Sequence, residues 1–209
     1  RRIVTSDYYP LRIAAGNGRT GIVERLLRVE GVDVNRGDLD TGATPLYMAC
    51  QNGHEAVVER LLAQDAIDVN QAATDDGATP LYIACQNGHE AVVERLLAHD
   101  AIDVNQARTD IGATPLFIAC QHGHTSVVRK LLNESCDATV GMRDNGWSPL
   151  FVASWSGHAD VVKELLACSA DPTVQTTAEH LEVPAGSTAL SVAELKGHKN
   201  VVAVLNGDS

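Results

Sequence analysis

The sequence has no apolar run near the roughly 20 residues that a membrane-spanning helix requires, and no secretory h-region opens it. Basic residues are in the minority: 16 Lys and Arg stand against 27 Asp and Glu, for a formal net charge of -11. A surface that acidic repels nucleic-acid phosphates and anionic lipid headgroups, so neither nucleic acid nor membrane is an expected partner. Cysteines number five, an odd count that does not suggest a disulfide framework. Reduced thiols predict an intracellular setting, the cytoplasm first and the nucleus second. The first residue is Arg1 rather than Met, which predicts a piece of a longer protein. What is plentiful is apolar material, 44% of 209 residues, enough to bury an ample core.

That material is arranged in repeats. The block from Gly42 to His54, Gly-Ala-Thr-Pro-Leu-Tyr-Met-Ala-Cys-Gln-Asn-Gly-His, recurs from Gly77 to His89 and from Gly112 to His124, a period of 35. Weaker copies run from Gly146 to His158 and from Gly186 to His198, and Pro10 to Gly18 forms a leading one. Each unit reads as two short helices and a turn. Thr44 is placed to cap the first helix, with Pro45 at the first helical position, where its missing N–H is not needed. Leu46, Ala49 and Cys50 form its apolar face, and Gly53 can take the left-handed conformation that ends it. Val57, Val58, Leu61 and Leu62 give the second helix an apolar stripe, with Glu55, Glu59 and Arg60 opposite. A turn-rich stretch from Asp68 to Gly77 then projects as a finger. Helices this short are not stable alone in water, so each needs its neighbours.

In period and in residues the pattern resembles the ankyrin repeat family. Its Thr-Pro-Leu-His-x-Ala signature appears as Thr44-Pro-Leu-Tyr, Thr79-Pro-Leu-Tyr, Thr114-Pro-Leu-Phe and Ser148-Pro-Leu-Phe. Its Gly-His and Asp-Val-Asn elements appear at Gly53-His54 and Asp68-Val-Asn70, with equivalents one repeat on. The resemblance implies an all-α solenoid of six helix-turn-helix repeats with β-turn or hairpin fingers. We place these in a single domain over 1–209, with repeats at about 6–40, 41–75, 76–110, 111–144, 145–184 and 185–209. The first repeat, with Asp7 and Tyr9 where Gly and Thr are usual, reads as a capping unit, and the last as a short or truncated cap. The finger between repeats five and six is long: Thr173 to Gly186 spans 13 positions, against 7 from Asn70 to Gly77.

Chemical motifs are scarce. Gly16-Asn-Gly-Arg-Thr-Gly21 fits G-x-G-x-x-G by letter, yet a helix precedes it where a nucleotide-binding turn needs a strand. Cys50, Cys85 and Cys120 recur at one position of successive helices about 8–10 Å apart, too far to share a metal or a disulfide. They read as small buried side chains, and Cys136 and Cys168 as unpaired helix-end residues. His54, His89, His124, His158 and His198 recur once per unit, which marks them as architectural, holding the turn between the helices. The sequence therefore predicts no catalytic site, no metal and no cofactor. Asn133-Glu-Ser135 is a glycosylation sequon by letter and should be silent in a reduced compartment. The resemblance also implies asparaginyl hydroxylation at Asn35, Asn70 and Asn105, each with a Leu eight residues upstream; hydrogen bonding within the turn is the alternative reading.

The expected function is a protein–protein interaction scaffold, monomeric, that grips a basic or mixed-charge protein segment in the concave groove that solenoid curvature creates. The alternative is the recognition domain of a larger enzyme, channel or secreted effector. Fingertips and inner-helix ends should line the groove: Asp40, Thr41, Gln51, Asn52, Asp75, Asp76, Gln86, Asn87, Asp110, Ile111, Gln121 and His122. Trp147 and Trp155 fall outside the apolar stripes and are expected to face the groove as binding hot spots, or else to stack on each other and shield the long finger. That finger, Val174 to Ala185 with Glu179, His180 and Glu182, is a second candidate contact.

Overall fold

The computed structural model describes residues 9–134, 139, 142 and 144–208. The chain divides into two compact units, Arg1–Asp103 and Val104–Ser209. In the first unit, inner helices α1 (Pro10–Gly16), α3 (Pro45–Gln51) and α5 (Pro80–Gln86) alternate with outer helices α2 (Thr20–Leu27), α4 (Glu55–Leu62) and α6 (Glu90–Leu97). In the second, inner helices α7 (Pro115–His122), α9 (Pro149–Ser156) and α11 (Ala189–Lys196) alternate with α8 (Thr125–Asn133), α10 (Ala159–Ala167) and α12 (Lys199–Asn206). Within each unit, inner helices pack on inner and outer on outer. This is the all-α repeat solenoid of six helix pairs.

Local chemistry starts each inner helix. Thr44, Thr79, Thr114 and Ser148 are buried, and each hydroxyl accepts the backbone N–H three residues on, at 3.1–3.2 Å. A cap of this kind is worth about 1 kcal/mol. The stripes then interlock: Leu46, Ala49, Cys50, Val58 and Leu61 are fully buried, as are their counterparts Ala84, Cys85, Val93 and Leu96. Leu97 is only half-buried, so the outer-helix leucine that the core depends on is Leu96.

Three side-chain ladders tie neighbouring repeats together. His54 Nε2 donates to the Gly16 carbonyl at 3.0 Å and His89 Nε2 to that of Gln51 at 3.1 Å. In the second unit, His158 and His198 reach Gln121 and Trp155 at 3.0 Å. A carbonyl can only accept, so Nε2 carries the proton. The histidines are architectural, but they bind the preceding repeat rather than their own turn. The aspartate-valine-asparagine turns also differ from the local alternative. Asn35 donates Nδ2–H to the Ala66 carbonyl at 2.7 Å and accepts the Asp68 N–H at 2.9 Å. Asn70 does the same with Ala101 and Asp103, at 2.7 and 2.9 Å. Ion pairs on the outer helices form the third ladder: Arg60 with Glu24, Arg95 with Glu55, and Arg129 with Glu164.

The buried pattern changes in both end repeats. In α11, Glu194 stands where Cys50 and Cys85 are buried, and it is exposed. Ile22 is 51% exposed, whereas its counterparts Val57 and Val92 are 1% exposed. Asp7 lies outside the described residues, and Tyr9 is buried with the Arg36 guanidinium 4.8 Å above its ring.

Leu96→Ala should cost roughly 2–5 kcal/mol in denaturant titrations, as for buried leucines generally. Leu205, its counterpart in α12, is half-buried, and Leu205→Ala should cost clearly less. Equal losses would contradict the difference in burial between Leu96 and Leu205.

Candidate functional site

Each finger is a tight hairpin closed by two backbone bonds. Asp38 N–H donates to the Ala43 carbonyl at 3.3 Å and Gly42 N–H to that of Asp38 at 3.1 Å. The same pair of bonds closes Ala73–Ala78, Arg108–Ala113 and Met142–Trp147. Successive fingers join edge to edge, Thr74 N–H to the Thr41 carbonyl at 2.7 Å and Thr177 N–H to that of Asn145 at 2.9 Å. In the first finger Asp38 organises the tip: it accepts the N–H groups of Asp40 and Thr41 and the Thr41 hydroxyl, and pairs with Arg12 at 3.2 Å.

The tips present the expected residues unequally. Asp40, Asp75 and Asp110 are exposed, while Thr41, Asp76 and Ile111 are half-buried. Asp76 is partly structural, its carboxylate accepting the Ala78 N–H at 2.8 Å. Asp110 is held by Arg108 at 2.6 Å, and that hydrogen bond keeps its carboxyl below the usual range. At the helix ends, Asn52, Asn87 and His122 are exposed, and Gln51, Gln86 and Gln121 are half-buried. Asn87 donates to the Gln51 carbonyl at 3.1 Å. His122 stacks on His124 with ring centroids 6.0 Å apart; burial, then the nearby imidazoles of His124 and His158, lower its pKa from the ordinary value. One exposed residue escaped the sequence reading. Leu39, beside Asp40 at the first fingertip, is 75% exposed. Thr74 and Thr109 hold its place in the next two repeats, so an apolar residue out of pattern was the available signal.

The tryptophans require a correction. Trp147 is 3% exposed and sits in the core of repeat five; Trp155 is half-buried. Trp147 packs on Phe151 at 5.0 Å and Trp155 at 5.6 Å, and His180 lies edge-on to it at 5.4 Å. Val183 is fully buried. The long finger supplies both residues. Its hairpin closes between Thr176 and Ser187, and its extra residues fold back through a second turn, His180–Val183, with Leu181 and Glu182 at positive φ. The two indoles thus meet at a tilt of 47°, and the finger covers Trp147 rather than being shielded by it. Neither indole N–H meets an acceptor among the described residues. Lys196 Nζ lies 5.3 Å from the Trp155 ring, on its accessible side of the cluster.

Among the described residues no group of three or more His, Cys, Asp or Glu is gathered to hold a metal, and no helix is long and apolar enough to cross a membrane. Cys50, Cys85 and Cys120 are fully buried, and burial pushes the Cys50 thiol far up; Cys168 is exposed, and Cys136 lies outside the described residues.

A family model described as ankyrin repeats (3 copies) matches residues 11–108 and 102–176. The chain belongs to the ankyrin repeat family. A search of curated proteins finds no match to it. Ankyrin repeats are generally protein–protein interaction modules.

Two outcomes test this geometry. Trp147→Ala should cost about 3–5 kcal/mol in a melt followed by circular dichroism, as for buried aromatic rings. Trp155→Ala should cost less, because Trp155 is half-buried where Trp147 is 3% exposed. A disulfide-exchange reagent should label Cys168 in the native protein, whereas Cys50, Cys85 and Cys120 should react only on unfolding; prompt native labelling of all three would contradict their burial.

Proposed function

We propose that this ankyrin chain is a protein-binding scaffold whose recognition surface is made of fingertips and inner-helix ends, and that it takes a segment combining basic and apolar side chains. The observation that carries this reading is Leu39, 75% exposed on a hairpin whose own polar groups are satisfied, beside the exposed acid Asp40. In the same unit, Asp75 and Asp76 on the next finger and Gln86 and Asn87 at the end of α5 extend the surface with acid and amide groups. An apolar anchor flanked by carboxylates suits a cationic segment with one aliphatic or aromatic residue. In the second unit, the contributors are Asp110, Ile111, Gln121 and His122, and Trp155 through its exposed edge. Trp147 supports Trp155 from beneath instead of touching a partner.

Hydroxylation of Asn35, Asn70 and Asn105 is supported by spacing alone. For Asn35 and Asn70 it requires release of an amide that clamps the next repeat.

An array of synthetic peptides graded in charge and apolar content tests the scaffold reading. Wild type should retain basic peptides bearing an apolar residue, with binding that weakens as salt rises. Leu39→Ala should lower that retention, and reversing Asp75 and Asp76 to Lys should remove its charge dependence. Preference for acidic peptides, or indifference to both variants, would refute the assignment.

A further inference from the structure

The extra residues of the long finger do not widen its hairpin; they form a second turn pinned at both ends. His180 N–H donates to the Val183 carbonyl at 3.0 Å, and Val183 N–H to that of His180 at 2.9 Å. His180 rests edge-on against the buried Trp147, and the Val183 side chain is fully buried. Between these anchors Leu181 and Glu182 take φ of +49° and +66°, a region that large side chains seldom enter and that glycine enters freely. Yet Leu181 is a large apolar residue, 57% exposed, so its side chain adds little to the core. Glu179 and Glu182 are exposed on either side of it and make no ion pair among the described residues. The turn lies against repeat five, between the α9–α10 and α11–α12 pairs, so its placement is set by repeats on both sides of it.

We propose that this turn is a second recognition tip, with Leu181 as its apolar anchor and Glu179 and Glu182 selecting for charge, and that its occupant is a cationic segment of another protein carrying one aliphatic or aromatic residue. The proposal rests on the fingertip reading given above and extends it to a turn that the other fingers lack. Leu39 on the first finger is the same device, an exposed leucine between Asp38 and Asp40. Charge decides the occupant. An acidic segment would meet Glu179 and Glu182, and a second copy would bring the same carboxylates tip to tip. The anchors serve affinity. A loose loop loses conformational freedom when it binds, whereas a turn already fixed by His180 and Val183 loses little. Strained backbone persists only where its surroundings over-determine it, and here they hold a leucine out into water.

The test is an amide-resolved NMR titration of the full chain with a blocked peptide that sets a single leucine between pairs of lysines. Saturable shifts are expected at the amides of 179–183 and, separately, at 38–42. Leu181→Gly relieves the positive φ, so it should leave the melting temperature unchanged or raised, yet weaken binding at 179–183 by at least about tenfold. Shifts at 38–42 should stay as they were. Glu179→Lys with Glu182→Lys should transfer binding at this tip from the lysine peptide to its glutamate counterpart. Saturation at 38–42 alone would overturn this proposal and leave the fingertip reading standing, whereas saturation at neither place would overturn both. A lowered melting temperature for Leu181→Gly would make Leu181 a packing residue, and a concentration-dependent dimer that this variant dissolves would make the occupant a second copy. Either result would sink the assignment.

Discussion

A hydrogen bond from one repeat's side chain to another's backbone is the constraint on which the structure rests. The helices are 7–9 residues long, too short to persist alone, so stability must come from neighbours. Packing of valine and leucine stripes supplies most of that, but apolar stripes slide. The imidazole of His89 on the Gln51 carbonyl and the amide of Asn70 on Ala101 and Asp103 fix the register from two sides of the repeat. Each such bond contributes only about 1 kcal/mol, but each requires one particular pairing of neighbouring repeats, so a slipped register loses them all together.

The acceptors in these ladders are main-chain carbonyls, which has a consequence for recognition. The residue that offers the carbonyl can be Gly16, Gln51, Gln121 or Trp155 without weakening the clamp. The clamp itself therefore does not fix which residue stands at the end of an inner helix. The opposite holds for Gly53. It takes a φ of +72°, and a Cβ there would lie 2.7 Å from the His89 ring, so one position answers to its own turn and to the next repeat's histidine.

The period, the Thr-Pro starts and the apolar stripes were legible in the sequence because they are local and recur. What could not be read is what depends on neighbours. Trp147 follows a finger glycine, where other repeats carry Ala43 and Ala78; those small residues are buried, so the register points inward, and the size of the indole concealed it. The long finger buries it by folding His180 and Val183 back, a contact over 30 residues away in sequence that no repeat register encodes. Likewise the spacing of Asn35 and Asn70 revealed a turn, but not that their amides reach forward to the next one. Leu39 departs from the pattern that Thr74 and Thr109 keep, and its significance lies in that departure.

The same limit explains the first repeat. Ile22 reads as one more core residue, since its letter and its spacing match Val57, yet it is 51% exposed where Val57 is 1%. Burial is a property of the pair of surfaces, not of the residue. Net charge misleads in a parallel way. A value of -11 sums over places that differ: the fingertips carry acids, whereas Arg19, Arg25 and Arg28 lie together at α2. Beyond about one Debye length, some 8–10 Å at physiological salt, an approaching partner feels the nearest charges rather than the sum.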